Sequence, residues 1–144
     1  MHIPENFRFT TRELLPKIMV DTLGNSKLLW QFIDQRIINT IHSLRMRYGK
    51  MIMNDYEWGG NNEYRGYRPY DCEIGAMFSQ HKFGKAADLV PAESDLYIIQ
   101  QDILADPWHP DFRFITTLEL DISWLHIDCR NHDKKIHGVK LIKP

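Results

Sequence analysis

The decapeptide Ser79-Gln80-His81-Lys82-Phe83-Gly84-Lys85-Ala86-Ala87-Asp88 sets an imidazole and a carboxylate seven positions apart around one glycine. A distant run, Trp124-Leu125-His126-Ile127-Asp128, supplies a second imidazole. Two nitrogen ligands and one oxygen ligand, with a fourth position left open, form the donor set of a catalytic zinc ion. Taken singly, His81 and Asp88 read as a loop histidine and a helix-capping aspartate, and His126 as a buried structural histidine. Gly84, Ala86 and Ala87 are all small, as close backbone packing between two ligands requires. Together these features predict one metal site made by His81, Asp88 and His126. Because side chains alternate along a strand, His126 shares a face with Trp124 and Asp128. Asp128 is thus placed to accept a hydrogen bond from a ligand imidazole, fixing its ring and tautomer; the alternative for it is a strand-end surface charge.

The pattern S-x-H-x-x-G-x-A-x-D (Ser79, His81, Gly84, Ala86, Asp88) followed by W-x-H-x-D (Trp124, His126, Asp128) resembles the zinc-binding superfamily of D-Ala-D-Ala metallopeptidases and the Hedgehog amino-terminal domain. The resemblance covers roughly the second two-thirds of the chain. It implies an α+β fold in which a small antiparallel sheet carries the zinc site and helices pack on its other face. It further implies a zinc-dependent peptidoglycan peptidase of D,D or L,D type, cutting the stem or cross-link peptides of a bacterial wall. Arg65 and Arg68, ahead of the S-x-H motif where the family has an arginine, become candidates for binding a substrate carboxylate or polarising the scissile carbonyl. Their planar forked donors suit both tasks. Ser79 matches the family serine that bonds near the site.

One position departs from the family. Many of these peptidases carry an acid three residues before the last histidine ligand, and here that residue is Ser123. The proton of the attacking water must then go elsewhere. If residues 112–120 and 123–128 pair as a hairpin with Asp121-Ile122 at its tip, Glu119 lies opposite Trp124 on the face of His126. Glu119 is therefore the expected general base, with Asp121, pointing into the turn, as second choice. The alternative is a chain that binds zinc without turnover and uses the cleft to hold a peptide or a partner. A wall-binding module without metal is a third reading, which leaves the ligand pattern unexplained. His109, His132 and His137 fit no ligand spacing and are expected on the surface.

Several elements must position these residues. Thr10 and Glu13 form a capping-box pattern for a short helix ending near Pro16. Apolar residues at three- and four-residue steps from Leu28 to Leu44 predict one long helix over 26–48, punctuated by Gly24-Asn25 and Gly49. Residues 50–54 read as a short buried strand. The Gly-, Asn-, Tyr- and Arg-rich stretch 54–78 reads as a long ordered loop of the kind that carries function. Residues 94–104 are helix-like with Ser94 as cap, broken by Asp106-Pro107, and 140–144 reads as a frayed or edge end.

Composition sets the outer bounds. With 144 residues, one domain spanning 1–144 is expected, and a monomer. A formal net charge of −1 with both signs interspersed gives no electrostatic ground for nucleic acid or an anionic membrane. No apolar run approaches the ~20 residues of a membrane span. The start lacks a basic region followed by an apolar core, which predicts synthesis in the cytoplasm without Sec export. Compactness and that absence resemble phage endolysin-type members, reaching the wall at lysis or from a virion. Two cysteines, Cys72 and Cys129, are not a disulfide framework, and neither is assigned a nucleophile's role.

Overall fold

The computed structural model describes residues 1–24 and 26–144; Asn25, half of the expected helix-start signal, lies outside them. The chain builds a mixed α+β fold around one five-stranded sheet. Strands β1 (Met51–Ile52), β2 (Ala86–Pro91), β3 (Thr117–Glu119), β4 (Leu125–Asp128) and β5 (Lys140–Ile142) lie in the order β1-β2-β4-β3-β5. All neighbours are antiparallel except β3 and β5, which run parallel. The expected wholly antiparallel sheet is corrected at this one edge.

Register divides the sheet into two faces. Ala87 pairs with Ile127, Leu89 with Leu125 and Leu118 with Ile127, and all five residues join a single hydrophobic cluster. That cluster includes Ile37, Ile38, Ile41 and Leu44 of α3 (Gln35–Tyr48) and Ile99 and Ile103 of α4 (Leu96–Ala105). On the opposite face, Asp88, His126, Glu119 and Ile142 form one row across β2, β4, β3 and β5.

The anticipated capping box is present, with Thr10 and Glu13 reciprocally bonded at the start of α1 (Thr11–Leu14). After Pro16 a further short helix, α2 (Lys17–Leu23), forms. The single helix expected over 26–48 is two pieces: a 3-10 helix, Lys27–Phe32, then α3. Ile33 is extended, and the Asp34 carboxylate accepts the Arg36 N–H at 2.9 Å while the Asp34 N–H donates to the Gly84 carbonyl at 2.9 Å. A capping side chain restarts the helix there, because it satisfies an amide that an unbroken helix would otherwise bond. Leu29, Ile33, Ile37 and Ile41 remain buried on both sides of the break, so the apolar period survives it.

Helix α4 is capped by Asp95, which accepts the Tyr97 N–H at 2.7 Å; Ser94, the expected cap, donates instead to the Tyr48 carbonyl at 2.6 Å. The strand expected over 112–120 shrinks to β3. Its first half folds into turns that bury Phe112 and Ile115, and the Lys134 ammonium of α5 (Lys134–His137) gathers the carbonyls of Pro107, Phe112 and Arg113. Tertiary capture of these carbonyls overrides a β-rich composition. Among the described residues no helix is long and apolar enough to cross a membrane.

Candidate metal centre

Asp88 and His126 are direct cross-strand partners, so the β2–β4 register alone brings two of the three expected ligands together. His126 Nδ1 lies 2.7 Å from Asp88 Oδ1. His81 arrives on a 3-10 helix, Gln80–Phe83, that ends in left-handed Gly84 (φ +67°). A Cβ on Gly84 would meet the Phe32 carbonyl oxygen at 2.0 Å, so the glycine permits both the turn and the close approach. His81 Nδ1 is 2.6 Å from the Gly66 carbonyl, an acceptor only, so Nδ1 carries a proton and donates it there, which leaves Nε2 as the ring atom that faces the site. Nε2 stands 3.2 Å from Asp88 Oδ2, yet it is buried and makes no hydrogen bond.

The three ligand atoms of His81, Asp88 and His126 lie within 4.8 Å of one another, and all three residues are buried. An orphaned buried nitrogen beside a carboxylate and a second imidazole fits a metal ion, since a buried polar atom without a partner is otherwise costly. In the metal-free protein the His126 proton holds the cluster together. Burial alone would lower the pKa of His126, but the Asp128 and Asp88 carboxylates outweigh it and raise the imidazole to about 9. For Asp88, burial acts upward, and the hydrogen bond with His126, together with the His81 imidazole beside it, overcomes that and holds the carboxyl well below the usual range.

Asp128 is fully buried, with Oδ2 3.4 Å from His126 Nε2. Arg130 grips it: the backbone N–H and Nε donate to Oδ1 at 3.1 and 2.9 Å, and Nη2 donates to Oδ2. Burial pushes the Asp128 carboxyl up, and these partners, His126 first, bring it down to about 2. Comparison of the chain with protein-family models, curated proteins and solved structures returns no match.

Glu119 is directly opposite His126 rather than opposite Trp124 as expected. The register differs by two residues, which preserves the face, so Glu119 remains on the site side. It lines the same cavity of about 490 Å³ as His81, Asp88 and His126. Asp121 does not enter it. In the turn, with φ +61°, Asp121 is exposed and pairs with Lys143 at 3.1 Å. Of the two arginines, Arg68 belongs to the site: it lines the cavity, and its Nη2 donates to Asp88 Oδ2 at 3.1 Å. The Arg65 guanidinium is instead held by the Met53 carbonyl at 2.9 Å and by Asp55, while its backbone carbonyl accepts the Asp88 N–H at 2.8 Å. Ser79 lines the cavity as the residue before the 3-10 helix, with no capping hydrogen bond from its side chain.

Four participants escaped the sequence reading. Arg130 had a signal, its i+2 spacing from Asp128. The Gly66 carbonyl had none, because a backbone acceptor leaves no trace in side-chain pattern. Phe78 and Ile74, exposed on the cavity wall beside Trp124, belong to a loop with no period to read. Cys72 and Cys129 are unpaired, and burial pushes the Cys129 thiol up to about 12, far from a nucleophile's range.

Proposed function

We propose that the chain is a zinc-dependent peptidase of bacterial peptidoglycan. The observation that carries the hydrolytic part is the row Asp88, His126, Glu119, with the unpartnered His81 Nε2 beside it. It combines a three-ligand set with a carboxylate that is no ligand. The wall peptide as substrate comes from the resemblance of the Ser79-to-Asp88 and Trp124-to-Asp128 motifs to D-Ala-D-Ala metallopeptidases. His81, Asp88 and His126 would hold the ion. A bound zinc supplies a Lewis acid that makes water nucleophilic near neutral pH.

Glu119 accepts the proton of the attacking water and returns it to the leaving amine. Arg68, anchored on Asp88, offers positive charge where the carbonyl oxygen becomes negative. Ile74, Phe78 and Trp124 give the cavity an apolar wall against which a peptide side chain can pack. Such an enzyme would meet its substrate outside the cytoplasm, at lysis or from a virion.

A second reading, a zinc-stabilised module that binds a peptide without cutting it, is favoured by Ser123. That residue is exposed in the turn before β4 and carries no carboxylate. Digestion of purified sacculi and synthetic stem peptides separates the two. The zinc-loaded wild type is expected to release peptide fragments. Glu119→Gln should keep zinc and fold while losing about 10²–10⁴-fold in rate, and Asp121→Asn should lose little. Zinc-loaded wild type that cleaves neither substrate leaves the binding module as the reading.

A further inference from the structure

Asp128 has two side-chain partners, and only one of them is a candidate ligand. His126 Nε2 reaches its Oδ2 at 3.4 Å, a long contact for so buried a pair. The rest of the carboxylate is taken by Arg130, through the backbone N–H, Nε and Nη2. The Arg130 side chain is a quarter exposed and lines the metal cavity, whereas Asp128 is wholly enclosed. Without the fork the carboxylate would keep only the Arg130 backbone N–H on Oδ1 and the long imidazole contact on Oδ2, which leaves Oδ2 without a close donor to hold it against rotation about χ2.

We propose that Arg130 is a positioning residue of the metal centre: by clamping Asp128 it fixes the acceptor for His126 Nε2–H, so that Nδ1 faces the ion. The inference rests on the metal reading of His81, Asp88 and His126, and not on peptidase activity. It assigns a reason for arginine over lysine, since a lysine keeps the charge but cannot present two parallel donors to one carboxylate. It also explains how so distant a contact as 3.4 Å serves to orient the ring: the acceptor cannot move.

The test is zinc affinity, measured by competition with a chromophoric chelator, for the full chain and the variants Arg130→Met, Arg130→Lys, Asp128→Asn and the Asp128→Asn/Arg130→Met double. Asp128→Asn is expected to weaken zinc binding by about 10–100-fold, the usual loss for a group bonded to a ligand. Arg130→Met, one step further out, should weaken it by roughly 3–10-fold, and the double variant should bind no more weakly than Asp128→Asn alone. The cobalt-loaded Arg130→Met protein should show a shifted visible absorption band, a change in ligand field that a merely structural role would not produce. Should Arg130→Met fail to fold, Arg130→Lys decides through the same two readouts.

Wild-type affinity and spectrum in a folded Arg130 variant would overturn the inference, as would losses that add in the double variant. A wild-type chain that binds no zinc overturns it together with the metal reading, whereas uncut wall peptides bear on the proposed function alone.

Discussion

His126 sits between Asp88 and Asp128, and a metal bound by its ring would have to displace a proton. Its folded-state pKa, about 9, lies above the ordinary 6.5. The stabilisation it contributes to the metal-free protein is therefore complete below pH 6.5 and is lost as the pH rises through 9. Thermal melts of chelator-treated protein should accordingly show a falling Tm between these two values; a flat profile would remove the ion-paired His126. Asp128 acts in the opposite sense. Its carboxyl is lowered to about 2 from 3.8, so its contribution is present above pH 3.8 and disappears as the pH drops toward 2. Zinc requires the unprotonated ring, so its binding should release protons at neutral pH and tighten toward pH 9, which calorimetry in buffers of different ionisation enthalpy measures.

At the scale of elements, the site depends on a loop docking against a helix that holds no ligand. The Tyr67 N–H donates to the Leu14 carbonyl at 2.8 Å, and this contact sets the Gly66 carbonyl against His81. A Cβ at Gly66 would stand 2.1 Å from that same Leu14 oxygen, which is backbone and cannot step aside. Gly66→Ala should therefore force the loop off α1 and release His81. Overpacking of this kind costs about 1–3 kcal/mol, and zinc affinity should fall with stability. Chemical denaturation and chelator competition on the same variant check both; an alanine accepted without loss of either would detach the loop from the site.

For the whole molecule, the three candidate ligands come from a 3-10 helix and two strands that are far apart in sequence, and their ligand atoms lie close enough together for one ion to join them. An ion bound by the folded chain alone stabilises it by mass action, about 2.7 kcal/mol at a free concentration 100 times the dissociation constant. For a chain of this length that corresponds to roughly 5–10 °C in Tm. Zinc should raise the Tm by that amount and a chelator should reverse the rise. His81→Ala should erase the difference between loaded and stripped protein. Its effect on the stripped protein should come from lost packing and the lost Nδ1 hydrogen bond to the Gly66 carbonyl, with nothing lost at Nε2, which has no hydrogen-bond partner there.

The meeting of His81, Asp88 and His126 was legible in the sequence because residue type and spacing are local: His81 and Asp88 flank small residues, and His126 alternates with Asp128. The capping box at Thr10 and the apolar period of residues 28–44 were legible for the same reason. Strand β2 was not. Ala86, Ala87, Asp88 and Leu89 are all buried, so this central strand shows no alternation of polar and apolar residues, and its small side chains carry little β preference. The break at Ile33-Asp34 was hidden because the apolar period runs through it, and the Gly84 carbonyl that secures it comes from the far side of a long loop. Glu119 kept its place on the site face although the hairpin register moved by two residues, since side chains repeat every two. Glu119 was preferred to Asp121 on alternation alone, and the fold keeps Glu119 opposite His126 while Asp121 pairs with Lys143. The choice of Arg68 over Arg65 was decided by tertiary structure: the side-chain chemistry is the same, and only the fold determines which guanidinium meets Asp88 and which is spent on the Met53 carbonyl.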